Sequence, residues 1–219
     1  MESGFVTDFE RERARYADGE ARVGGISDLD ERQRQLTRMG NAAAGAGLTL
    51  LMDGRAGDAA EWFGRSAERY RESFPDAPPG SWGRPIGAIK ARLLAGDWRR
   101  AEGDARWALD AGAAESESPI GRYAGCLALL VLARDGEAAE LALSIGDRDG
   151  FPRAVAAALQ AIATTDGPAY EGAVSEVLRS FETREAYLED VAVADTVIVL
   201  QALARERGIA VPLDSPLLP

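Results

Sequence analysis

Arg84 to Ala113 reads RPIGAIKARLLAGDWRRAEGDARWALDAGA, two helical segments joined by a glycine turn, and this pairing constrains the fold more than any other stretch. Pro85 suits the first turn of a helix, where its missing N–H costs nothing and its φ is already helical. Ile86, Ile89, Leu93 and Leu94 recur at three- and four-residue steps and draw one apolar stripe. Gly96 takes the left-handed conformation that ends the helix, and Asp97 offers a carboxylate to cap the next one. Trp98, Ala101, Ala105, Ala108 and Leu109 make the facing stripe, with small residues where two helices approach. Neither stripe is buried by its own helix, so each needs a neighbour.

The pattern recurs. Pro85-Ile86-Gly87 returns 34 residues later as Pro119-Ile120-Gly121, and Ala101-Glu102 returns 38 residues later as Ala139-Glu140. The four-residue difference is one helical turn added to the later unit. Gly96 to Leu109 (Gly-Asp-Trp-x-x-Ala-x-x-x-Ala-x-x-Ala-Leu) resembles the second helix of a tetratricopeptide repeat. Gly57 to Pro75 resembles it too, with Ala60, Phe63, Ala67, Tyr70 and Pro75 in the matching places. The first helices lack that repeat's Trp/Leu/Gly/Tyr signature, and the spacing departs from a regular 34. The resemblance implies an all-α fold: a right-handed, tetratricopeptide-like stack of antiparallel helix hairpins whose face binds protein or peptide.

Residues 1–219 are expected to form a single α-helical repeat domain. A charged helix and loop occupy 1–27, hairpins 28–207, and an extended proline-rich tail 208–219. In the first part Phe5 to Tyr16 reads as a helix broken by Gly19, Gly24 and Gly25. Ser27 and Asp30 resemble a capping box, and Gly40, Gly45 and Gly47 either weaken the next helix or let a neighbour come close. Turns are expected at 53–57, at the loop PDAPPGSW (75–82) and at Asp135-Gly136. The last helix is expected over Arg184 to Arg207, ended by Gly208.

Composition narrows function by exclusion. A formal charge of −11 disfavours nucleic acid and anionic membranes, since both demand a basic surface. Of 25 basic residues only Lys90 is not arginine. The charged N-terminus is no signal peptide and the longest apolar run, Tyr123 to Ala133, is too short for a bilayer, so a cytoplasmic location is expected. With no histidine, serine triads, histidine acid–base pairs and most zinc sites are ruled out. Cys126, in an apolar run, reads as inert core. No cofactor and no metal is expected; Glu182, Glu185, Glu189 and Asp190 read as a solvated face. The expectation is a chain that is not an enzyme.

The binding candidates are Trp82, Arg84, Lys90, Trp107, Arg122 and Asp195. Asp195 lies within the apolar run Val191 to Leu200, so burial demands a partner, for which Lys90, Arg84, Arg92 and Arg122 are the candidates. Alternatively, Asp195 and a cation line a pocket for a polar ligand, serving a small-molecule binder or enzyme. Trp98 reads as core, whereas Trp62 and Trp107 fall off the main stripe and serve either inter-helix packing or an exposed contact surface. Gly208 to Pro219, following an alanine-rich helix, is similar to the ends of all-helical immunity proteins of bacterial toxin systems, the immunity protein 49 type. That resemblance implies a toxin domain as partner.

Overall fold

A computed structural model describes residues 4–146, 150–187 and 190–219. Among them are ten α-helices and no strand: α1 (Gly4–Val23), α2 (Leu29–Met52), α3 (Ala56–Ser73), α4 (Gly83–Leu94), α5 (Trp98–Asp110), α6 (Pro119–Val131), α7 (Asp135–Gly146), α8 (Arg153–Thr164), α9 (Gly167–Glu182) and α10 (Asp195–Arg205). The all-α stack is therefore present, each helix packing chiefly on helices adjacent in sequence. The contacts gather into two compact units divided at Gly96 and Asp97, with α1–α4 in the first and α5–α10 in the second. The expected turn forms, with Gly96 at φ 68° and the Asp97 carboxylate accepting the Arg100 N–H at 3.1 Å. Each helix of the pair packs within its own unit, α4 on α3 and α2, α5 on α6.

In the first unit, glycines act as sockets. The helix α1 runs through Gly19, because a Cβ there would lie 2.5 Å from Met39 Cγ of α2. A residue read as a breaker is thus a packing contact. On α2, a Cβ at Gly47 would meet the Phe63 ring at 2.6 Å; on α4, one at Gly87 would meet the Tyr70 ring at 2.5 Å. Gly40 also abuts Tyr70, whose hydroxyl donates to Asn41 Oδ1 at 2.8 Å. The close-contact reading of Gly40, Gly45 and Gly47 is the right one. The cap of α2 is Asp28 rather than Ser27, its carboxylate accepting the Glu31 N–H at 2.7 Å.

Trp62 follows the inter-helix packing alternative. It is 9% exposed and meets Phe9 and Tyr16 edge-on at 5.8 and 5.4 Å. The helix α1 covers this off-stripe face. Trp98, expected in the core, is half-buried.

The second unit is built on aliphatic side chains and alanines, with Leu127, Leu130, Ile145, Leu159, Ile162 and Leu200 fully enclosed. Its first correction is the α6–α7 turn. Gly136 lies inside α7, and Ala133 takes the left-handed conformation at φ 54°. Arg207, following α10, holds this turn. Its guanidinium donates to Leu130 O at 2.8 Å and pairs with Asp135 in the first turn of α7.

The second correction is the last helix, which begins at Asp195 rather than Arg184. Val191 to Ala194 are not helical, and the Ala194 N–H donates to Leu217 O of the tail at 2.9 Å. The tail docks further through Gln201. Its Nε2 donates to Val211 O, while its Oε1 accepts from Val211 N at 3.3 Å and from the Tyr170 hydroxyl at 2.9 Å. No helix among the described residues is long and apolar enough to cross a membrane.

Candidate functional site

Three of the candidate residues, Trp82, Arg84 and Lys90, belong to the first unit, and Trp107, Arg122 and Asp195 to the second. All six are half-buried. Asp195 is not the mid-helix buried carboxylate that the apolar run suggested. It opens α10, its Oδ1 accepts from the Thr196 backbone N–H at 2.7 Å, and its charge sits at a helix N-terminus, where the macrodipole favours it. The nearby Tyr123 phenol is pushed well above its usual range, first by burial and then by the Asp195 charge.

Arg84 serves the first unit as a pin. Its Nε donates to Ser73 Oγ at 3.0 Å and its Nη2 to Gln33 Oε1, and burial lowers its pKa. Gln33 donates in turn to Asp30 Oδ1 at 2.8 Å.

Arg122 lines a cleft of about 330 Å³ in the second unit. The cleft is made by α5, the turn after it, α6 and α7. Gly125 sets its width, because a Cβ there would lie 2.7 Å from Ala114 Cα, so the α5–α6 connection lies against the backbone of α6. That approach brings Ser116 beside Arg122, whose Nε donates to Ser116 O at 2.8 Å. From α7, Ser144 Oγ donates to Leu141 O at 2.7 Å and accepts from Arg122 Nη1 at 2.8 Å. Leu109, Leu129 and Leu141 provide the aliphatic lining.

The charges in this cleft are only partly answered. Arg134 and Glu137 pair at 2.7 and 2.5 Å, and that contact holds the Glu137 carboxyl below its usual range. Glu115 adds a further negative field at Arg134. Arg122 has no carboxylate within ion-pair distance among the described residues, and Glu140, on the same lining, has no cation. The other buried or half-buried arginines among the described residues contrast with this: Arg32, Arg69, Arg92 and Arg207 each face a carboxylate, and of these described residues only Arg84 shares the state of Arg122. A guanidinium has five N–H donors, and Arg122 spends two on a carbonyl and a hydroxyl. Its other three find no acceptor among the described residues.

Cys126 behaves as expected of core. It is fully enclosed, its thiol is directed at Ala138 O at 3.5 Å, and burial pushes its pKa up to about 12. Of the acidic group Glu182, Glu185, Glu189 and Asp190, Glu189 lies outside the described residues; the other three are exposed. No group of three or more carboxylate or cysteine side chains among the described residues is placed to hold a metal ion.

Sequence reasoning reached Arg122 but missed Glu140, Leu141 and Ser144. They share one face of α7 at three- and four-residue steps with Glu137, so the signal was an acidic face beside a leucine. No family model matches the chain, and no curated protein or solved structure is significantly similar to it.

Proposed function

We propose that this is a non-catalytic, tetratricopeptide-like binding protein that takes a peptide segment of a partner in the cleft lined by α5, α6 and α7. The observation that carries this reading is Arg122, a half-buried guanidinium fixed by two neutral acceptors beside three leucines. A pocket of this size suits two or three side chains rather than a folded surface. The chemistry of the chain agrees, since it has no histidine and its single cysteine is enclosed and held as the thiol.

The test is selection of a random dodecapeptide library on the intact chain, followed by photo-crosslinking. A photoreactive residue at Leu141, in the cleft, captures the enriched peptides, and one at the exposed Leu143 of the same helix does not. Equal capture at both positions, or no enrichment, overturns the reading.

A further inference from the structure

Resting on that reading, we infer that the cleft selects an amphoteric peptide, placing a ligand carboxylate on Arg122 and a ligand cation on Glu140, with an aliphatic side chain against the leucines. Both groups line the cleft, and neither has an opposite charge within ion-pair distance among the described residues. They do not neutralise one another, because Ser144 occupies the side of the guanidinium that faces α7. Glu140 and Ser144 are four residues apart on α7, so their Cα positions differ by about 6 Å along the axis. Next-nearest side chains on one face of an extended peptide, about 6.6 Å apart, span that distance.

A ligand of one sign fits less well. A purely acidic segment meets Glu115, Glu137 and Glu140 and approaches a chain of net charge −11. A purely basic segment covers the cleft and leaves Arg122 without a carboxylate among the described residues, and covering such a charge is costly. Only a ligand carrying both signs removes both defects. The pairing then fixes the direction in which the segment runs.

The experiment uses the peptides enriched on the intact chain, measured by fluorescence anisotropy against wild type, Arg122→Gln and Glu140→Gln. The expected peptides carry an acid and a base within two residues of each other beside an aliphatic residue. Arg122→Gln weakens them by about 10- to 100-fold and abolishes the preference for the acid. Glu140→Gln, at an exposed position, weakens them by about 3-fold and abolishes the preference for the base. Circular dichroism checks the fold of Arg122→Gln. Should that variant unfold, Glu140→Gln decides alone, since its side chain makes no hydrogen bond among the described residues. Peptides that crosslink at Leu141 but show no charge preference overturn this inference and leave peptide binding standing. Competition by millimolar free leucine, itself a zwitterion, overturns it in favour of a free amino acid.

Discussion

In the first unit large side chains rest on glycine backbone; in the second, helices meet through alanine and leucine. Gly19, Gly40, Gly45, Gly47 and Gly87 each have a neighbouring side chain at 3.0 Å or less from where a Cβ would stand. In the second unit Gly125 is so placed, and there the neighbour is backbone. The first unit also buries Glu12, Gln33, Ser66 and Ser73, each hydrogen-bonded, whereas the second buries Asp104 of α5. Sockets fix which ring goes where but tolerate no added atom. Aliphatic packing is more forgiving, and its specificity rests on a few terminal pins.

Substitutions can break that contrast. Gly47→Ala and Gly87→Ala are each expected to destabilise by about 3 kcal/mol, because a buried aromatic ring must move. The control, Gly172→Ala on the open face of α9, is expected to stabilise by about 0.5–1 kcal/mol. Urea midpoints measure both, and equal signs would erase the distinction. Removing a terminal pin of the second unit comes next. Arg207→Ala removes the guanidinium that Leu130 O and Asp135 share and is expected to cost about 2 kcal/mol, read in the same titration.

Alkali sharpens the comparison in a different way. Burial pushes the folded Cys126 thiol up to about 12, against an ordinary 9.0. A raised folded pKa means that its contribution to stability is complete below pH 9 and is lost as pH rises toward 12. Tyr123 and Tyr170, in the same unit, are raised by burial and act in the same sense. Urea midpoints are therefore expected to fall between pH 8 and pH 10.5, and to fall less in Cys126→Ala. A thiol reagent at pH 8 should label the protein only after unfolding. The smallest effect belongs to Ala133→Gly. Relief of the left-handed alanine is offset by the entropy of glycine, leaving a gain of at most about 1 kcal/mol, visible as a slightly higher Tm.

These positions also show what the sequence discloses. The turn at Gly96-Asp97 is local, written in a left-handed glycine and a capping carboxylate, and it forms as read. Gly19 and Ala133 are not local. Whether a glycine breaks a helix or seats Met39, and whether alanine accepts φ 54°, depends on chain brought in from elsewhere. The run Val191 to Leu200 keeps helical period, yet Val191 to Ala194 are not helical, and Ala194 bonds to Leu217 at the far end of the tail. The same holds at the site. Arg122 was reachable as a cation beside an apolar face, but as a partner for Asp195. That it bonds Ser116 and Ser144 follows from Gly125 admitting the α5–α6 connection, which no spacing rule reveals.

The Gln201 amide has one more consequence. It reads both the N–H and the C=O of Val211, as a neighbouring strand would, while its oxygen also takes the Tyr170 proton. Only an amide has both faces. Hydrolysis to glutamate would set a second acceptor against the Val211 carbonyl, so the latch on the last eleven residues is as durable as a single carbon–nitrogen bond.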